Sequence, residues 1–235
     1  MPTTGDHIVT SYEDELNTLA ALIARAGDKA VEALADATRA LVDDDAALAE
    51  ATVRADKEID ALQHEIDNLA VSIIARRQPM ASDLRLIISS IHVANDLERI
   101  GDMAKSMARR SIEINRGEGP ARHIGSLRQM TEIAGRQIRM ALDAFANRDE
   151  AGAIAVLEHD YEIDSAYVAL FRELLTYMME DPRNISVCTH LLFCGKNIER
   201  VGDHGTNIAE QAYFLATGRD LATEDDKVNR RQLKG

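Results

Sequence analysis

Eight carboxylates recur in this chain in four pairs, each pair four residues apart: Asp56 with Asp60, Glu98 with Asp102, Asp160 with Asp164, and Glu199 with Asp203. Residues four apart on an α-helix share a face, with Cβ atoms about 5 to 6 Å apart, so each pair can converge on one cation. The spacing alone is worth little, because 40 acids in 235 positions give about seven such pairs by chance. The repeated context carries more. Leu97-Glu98-Arg99-Ile100-Gly101-Asp102 returns 101 residues later as Ile198-Glu199-Arg200-Val201-Gly202-Asp203, and Asp56-Lys57-Glu58-Ile59-Asp60 returns 104 later as Asp160-Tyr161-Glu162-Ile163-Asp164. If two helices of a repeat bring their pairs to one level, four carboxylates make an all-oxygen site, which suits hard divalent ions such as Mg²⁺, Mn²⁺ or Fe²⁺. Glu-x-x-His, the mark of di-iron oxygen chemistry in helical bundles, is absent at Glu98 and Glu199, which disfavours redox catalysis.

Helical phasing sets Glu98 and Asp102 within the stripe of Leu84, Ile91 and Ala94, so these acids ride on an apolar face. Unpaired buried carboxylates cost several kcal/mol, and cations must offset that cost. The bland account is that Arg99, Lys105 or basic groups across the bundle pair with them and nothing else binds. Gly101 and Gly202 weigh against it, since glycine inside a helix costs about 1 kcal/mol relative to alanine and its recurrence beside the acids calls for close backbone approach or room for a ligand. Arg99 and Arg200 turn off the seam toward solvent. Other chemistry is thinly represented: His92, His159, His190 and His204 lack metal-ligand spacing and read as ordinary helix residues, Gly195-Lys196-Asn197 lacks the rest of a phosphate loop, and no nucleophile stands beside a base.

The elements that must position these acids are helices. The hydrophobic fraction is 46% but the aromatic fraction only 4%, with no Trp, so Ala, Leu and Ile build the core and helix is favoured over sheet. Tyr12, Leu16, Leu19, Ile23, Ala26, Ala30, Ala33, Ala37 and Leu41 alternate steps of four and three, predicting a first helix with Thr10 and Glu13 as its capping box. After Asp43-Asp44-Asp45, a second carries Leu48, Thr52, Ala55, Ile59, Leu62, Ile66, Leu69 and Ile73. A third starts near Ser82 or Asp83 with Leu84, Ile87, Ile88, Ile91 and Ala94 on one face, and a connector spans Gly117 to His123. A fourth helix holds Leu127 to Phe145, a fifth holds Val156, Ile163, Leu170 and Met178 behind an Asp149 cap, and Asp181-Pro182 opens a sixth that ends near Gly218. The near-equal offsets of the acid motifs, together with Pro79 and Pro182, imply a duplicated three-helix unit. The fold class is therefore all-α, six long helices in two tandem, pseudo-symmetric three-helix bundles: an arm over 1–10, bundles over 11–117 and 118–217, and a loose tail over 218–235.

A formal charge of -13 argues against nucleic acid as a partner or a basic membrane-surface protein. No apolar run is long enough to span a bilayer and no signal core opens the chain, so a cytoplasmic protein is expected, reaching membranes only through partners. Cys188 and Cys194, on different helix faces, are expected to be small buried hydrophobes.

Ala75-Arg76-Arg77-Gln78-Pro79-Met80-Ala81-Ser82-Asp83-Leu84-Arg85-Leu86 followed by Asp96-Leu97-Glu98-Arg99-Ile100-Gly101-Asp102 resembles the signature of the PhoU family, and Leu174 to Asp181 with Asn197 to Asp203 resembles that family's second half. The resemblance covers about residues 11 to 217. It implies two three-helix bundles and a cytoplasmic regulator of phosphate uptake and homeostasis, a non-enzymatic adaptor between the phosphate ABC transporter ATPase and the phosphate-sensing histidine kinase that keeps starvation signalling off, commonly as a homodimer. It also implies divalent metal, whether Mg, Mn, Fe or Zn, at Glu98, Asp102, Glu199 and Asp203, with Asp56, Asp60, Asp160 and Asp164 as possible partners. Lys196-Asn197 stands where the first copy has Asn95-Asp96, and that lysine can replace a cation, so the two sites are not expected to fill equally. The alternative is a metal-dependent phosphohydrolase, since clustered carboxylates holding two divalent ions activate water. A bare scaffold without ligand is a third reading.

Overall fold

The computed structural model describes residues 4–114 and 124–220. Every element among the described residues is helical: α1 (Thr4–Val42), α2 (Ala46–Arg77), α3 (Ser82–Ile114), α4 (Ile124–Asn147), α5 (Glu150–His159), α6 (Tyr161–Glu180), and α7 (Ile185–Thr217), the last entered through one 3-10 turn at Pro182–Asn184.

The helix ends have local causes. Asp44 takes a left-handed φ of 55°, and the Asp45 carboxylate then accepts the Leu48 N–H at 2.9 Å, capping α2. Gln78 closes α2 at φ 50°, its N–H reaching the Ile74 carbonyl, and Pro79 forbids another turn. Asp181 accepts the Arg183 N–H at 3.0 Å with Pro182 at the first position. Gly218 ends α7 at φ 71°, its N–H on the Phe214 carbonyl, where a left-handed residue is needed.

Within the first repeat α2 packs against α1 and α3, and within the second α5 and α6 pack against α4 and α7. The repeats join along two seams, α1 beside α4 and α3 beside α7. Both are antiparallel: Asp96 meets His204 while Arg110 covers the Phe193 ring, and Thr38 meets Thr131 at 2.7 Å while Gly27 faces Leu142. Each seam thus sets a helix against its own counterpart, as a twofold axis across the helices requires. Alanines line much of the core, with Ala30, Ala37, Ala40, Ala104, Ala108, Ala134, Ala141, Ala209 and Ala212 fully buried, and side chains this small let helix axes approach closely. Leu19, Leu34, Ile59, Ile66, Ile73, Leu97, Ile100 and Ile138 fill the layers between them, each contributing about 1.5 to 3 kcal/mol by its burial.

The structure departs from the sequence pattern in several places. Helix α1 begins at Thr4, so Thr10 lies inside a helix and is no cap. The expected fifth helix is two, α5 and α6, interrupted at Asp160, whose backbone is itself helical (φ -55°, ψ -34°). Asp149 occupies the cap position of α5 without a side-chain bond. Leu84 and Ile88, expected on the inner face of α3, are 39% and 38% exposed, because the buried stripe runs one step away, through Ile87, Ser90, Ala94, Leu97, Gly101, Ala104 and Ala108. The expected connector at Gly117 to His123 and the expected tail beyond 220 lie outside the described residues. Cys188 and Cys194 are both free and buried.

Candidate functional site

Helices α2 and α3 bring Asp56, Asp60, Glu98 and Asp102 together. Asp56 is only 3% exposed: it occupies the inner stripe of α2 between Thr52 and Ile59, the place the sequence pattern assigns to Ala55. Its Oδ2 accepts from Lys105 Nζ at 2.5 Å, and the same ammonium lies 3.5 Å from Asp102 Oδ1. Arg99 reaches Glu98 and Asp102 at 3.5 Å each from the solvent side. Glu98 and Asp102 sit on the rim of the α2–α3 groove, half-buried, and not on the fully buried stripe.

The electrostatics are those of crowded, partly dehydrated acids. Burial, then Asp102, pushes the Glu98 carboxyl up, with Asp60 adding to it. Burial, then Asp56, raises the Asp60 carboxyl against the opposing pull of Lys105. Lys105 is itself raised, chiefly by its hydrogen bond to Asp56. The Lys105 ammonium inside the cluster and the Arg99 guanidinium on its solvent side stand against four carboxylates, which leaves the charge unbalanced. Asp56 Oδ1 is buried with no hydrogen-bond partner and turns toward Gly101, 3.6 Å from where a Cβ would stand.

The second repeat gathers Asp160, Asp164, Glu199 and Asp203 from the α5–α6 junction and α7. Asp203 reaches solvent, yet the protein around it excludes enough water to raise its carboxyl, with Glu199, Asp160 and Asp164 adding to the shift. Lys196, 47% exposed in its side chain, holds Glu199 at 2.5 Å and leans over the Tyr167 ring. Asp160 accepts from Gln137 Nε2 at 3.2 Å. Gln137, from α4, is 5% exposed, and its Oε1 has no partner while facing the Cβ position of Gly202 at 3.3 Å.

All eight acids chosen from the sequence thus fall into two clusters, four in each repeat. As the side chains stand, no group of three or more His, Cys, Asp or Glu among the described residues is arranged to hold an ion, and Lys105 and Lys196 are paired with acids of the two clusters. The donors are nonetheless all oxygen, and the buried, unpartnered Asp56 Oδ1 is the kind of atom a hard cation satisfies. The motif glycines answer to close approach: a Cβ at Gly101 would lie 2.9 Å from Ile59 Cδ1, and one at Gly202 2.9 Å from Ile163 Cγ2. Sequence reasoning missed Gln137, which is buried on α4 as Thr131 is and whose one signal is a polar residue directly beside the apolar stripe. His204 is more than an ordinary helix residue: its ring sits 2.7 Å from Asp96, and Asn207 donates to the same oxygen at 3.1 Å, binding the repeats outside either cluster. An open cleft of about 650 Å³ between α1 and α4, floored by Leu16, Ile23, Leu142 and Phe145 and edged by Arg139 and Arg148, contains none of the eight acids.

Comparison with known proteins matches residues 23–111 and again 127–212 to the PhoU domain. The chain is 49% identical over 221 residues to a phosphate-specific transport system accessory protein PhoU homolog of Rhizobium meliloti, covering 94% of this chain and 93% of that one. It is 42% identical to a protein of the same description in Caulobacter vibrioides, over 95% and 97% of the two chains. The crystal structure of PhoU from Pseudomonas aeruginosa superposes with a TM-score of 0.84 at 39% identity, covering 88% of this chain and all 100% of that one. The phosphate transport system regulatory protein PhoU from Streptococcus pneumoniae gives 0.81 at 28% identity, over 90% and 100%.

Proposed function

Because this chain belongs to the PhoU family, we propose that it is a regulator of phosphate uptake that acts as a cytoplasmic adaptor, docking on the ATPase of a phosphate ABC transporter and on a phosphate-sensing histidine kinase to hold the starvation response off. The observation that carries this reading is the double match: the family domain occurs once in each repeat, and each copy brings its Glu-x-x-x-Asp pair to the same place against a neighbouring helix. Relatives spanning nearly the whole chain are named as accessory proteins of phosphate transport, which supports an adaptor over an enzyme. No helix among the described residues is long and apolar enough to cross a membrane. A homodimer belongs to the same proposal, and the exposed Val168, Phe171, Leu175 and Met179 of α6 offer apolar area for protein contacts.

Divalent metal at the clusters is the second part of the proposal. Asp56, Asp60, Glu98 and Asp102 would hold it in one repeat, and Asp160, Asp164, Glu199 and Asp203 in the other. When bound, such an ion neutralises converging carboxylates and offers a Lewis-acidic face to an oxyanion. The chain's own part is to fix α2 against α3, and α5–α6 against α7, through the Ile59–Gly101 and Ile163–Gly202 contacts, so that the carboxylates stay within reach of one another.

Affinity capture of the full chain from phosphate-replete and phosphate-starved cells tests the adaptor reading. Recovery of the transporter ATPase or the sensor kinase, dependent on phosphate supply, is the expected result; recovery of neither under both conditions refutes it. Mn²⁺-stimulated hydrolysis of pyrophosphate or nucleotide that Asp102→Asn abolishes would replace the adaptor with a hydrolase.

A further inference from the structure

Helix α6 turns Ile163, Leu170 and Leu174 inward, all of them buried, against α4 and α7. Its outer face is apolar as well. Tyr161, Val168, Phe171, Leu175 and Met179 are each at least 44% exposed, and at 3.6 residues per turn they gather within an arc of about 80°. Large side chains half in water leave on the order of 400 Å² of apolar surface on this face, a size at which a patch on a protein marks a contact. The first repeat supplies the comparison. There α2 buries Ile59, Ile66 and Ala70 where α6 buries Ile163, Leu170 and Leu174, and in that register Lys57, His64 and Asp67 stand where α6 has Tyr161, Val168 and Phe171. The three-helix unit therefore folds with a largely polar outer face, and the apolar stripe of α6 serves something other than the fold.

Arg172 decides what covers the stripe. It is exposed beside these side chains, and no described residue pairs with its guanidinium. The residues three and four away on its own helix are Val168, Ala169, Leu175 and Thr176, none of them an acid. We infer that α6 docks an amphipathic helix of another protein, about five turns long, which lays an apolar stripe along Tyr161 to Met179 and brings a carboxylate to Arg172. The inference deepens the adaptor reading and rests on it: the helix belongs to the ATPase of the phosphate transporter. A guanidinium drawn into a dry contact without a counter-charge is strongly unfavourable, whereas an arginine met by a carboxylate is among the strongest anchors an interface has. A second copy of this chain answers that need badly. The stripe is centred near residue 170, so a twofold axis through its middle sets the two Arg172 residues only about 6 Å apart along the helix axis, like charges with no acid in the stripe to separate them. A formal charge of -13 likewise sets the face against an anionic lipid surface.

The test is surface plasmon resonance of the purified transporter ATPase from the same cell over the immobilised full chain. Wild type is compared with Phe171→Glu, Leu175→Glu, Arg172→Gln and Arg172→Glu, and with Val71→Glu on the outer face of α2 as control. All four positions are exposed, so each variant should keep the wild-type circular dichroism and melting temperature. Phe171→Glu and Leu175→Glu should each weaken binding roughly tenfold or more. Arg172→Glu should weaken it further than Arg172→Gln, and Val71→Glu should leave it as in wild type. Wild-type binding that the α6 variants change no more than Val71→Glu does, or that Arg172→Glu tightens, overturns the inference and leaves the adaptor reading standing. Sedimentation of the chain without ATPase tests the other occupant: a wild-type dimer that Leu175→Glu, but not Val71→Glu, turns into monomers gives the stripe to a second copy and overturns the inference as well. Absence of any ATPase binding by wild type overturns the transporter half of the adaptor reading, and the inference with it.

Discussion

Alanine at the motif glycines probes how closely the helices approach. At Gly202 the new Cβ would lie 2.9 Å from Ile163 Cγ2 and 3.1 Å from its Cδ1. Ile163 is 1% exposed, and Cγ2 is bonded to a β-carbon whose χ1 is stiff, so the clash cannot be relieved by turning the end of the side chain. Overpacking of this kind costs about 1 to 3 kcal/mol, against a gain of about 1 kcal/mol from replacing glycine in a helix interior; with the stiff Cγ2 contact placing the cost in the upper part of that range, Gly202→Ala should destabilise by up to about 2 kcal/mol. At Gly101 the 2.9 Å contact is with Ile59 Cδ1, the far end of its side chain, and Cγ2 stands at 3.4 Å; the net loss should be smaller, about 0 to 1 kcal/mol. Gly135 serves as control, because its nearest atoms lie at 3.6 to 3.8 Å and alanine there should stabilise by about 1 kcal/mol. The geometry also dictates the rescue. Ile59→Val deletes the atom that the methyl of Gly101→Ala would strike and should restore the first pair, whereas Ile163→Val leaves Cγ2 in place and should not restore the second. Thermal unfolding followed by circular dichroism resolves these differences, at about 2 to 4 °C per kcal/mol for a chain of this size. Equal stability of Gly202→Ala and Gly135→Ala, or rescue of Gly202→Ala by Ile163→Val, refutes the packing account.

Three further outcomes follow from the charged and buried groups. Burial raises Asp60, Glu98 and Asp203 above the ordinary 3.8 or 4.5, so the folded chain keeps protons that the unfolded chain has released; their contribution to stability is whole below the ordinary values and is lost as pH rises through the raised ones. Metal-free Glu98→Gln and Asp203→Asn should accordingly be more stable than wild type near neutrality and lose that advantage in acid, as denaturant unfolding across pH will show. The Tyr12 hydroxyl donates to Asp83 at 3.0 Å, and burial, then that bond, push it up to about 12; Tyr12→Phe should remove a phenolate that appears only near pH 12 in an ultraviolet alkaline titration. Burial drives the Cys194 thiol up to about 12, so folded protein should not react with a thiol reagent at neutral pH, and labelling should follow unfolding.

Much of the fold could be read along the chain because helices write their period into it. Pro79, Asp181-Pro182 and the Asp43-Asp44-Asp45 break mark turns that the structure places there, and the duplicated acid motifs announce two copies of one unit. The phase of a stripe was less legible. Ala55 and Asp56 are neighbours at the edge of the apolar face of α2, and only packing against α3 decides that the acid, not the alanine, turns inward. Leu84 and Ile88 continue an apolar run, yet α3 leaves more than a third of each in solvent. The break at Asp160 carries no proline or glycine, so nothing local announces it.

Residue identity and spacing alone determined that this chain is helical, doubled, acidic, and furnished with eight carboxylates in four matched pairs, because each of those properties belongs to segments a few turns long. Which cation meets which carboxylate was decided by contacts between segments far apart in the chain. Lys105 reaches Asp56 across 49 positions, and Gln137 reaches Asp160 from a different helix across 23; helical periodicity fixes where a side chain points on its own helix and says nothing about what another helix brings to meet it.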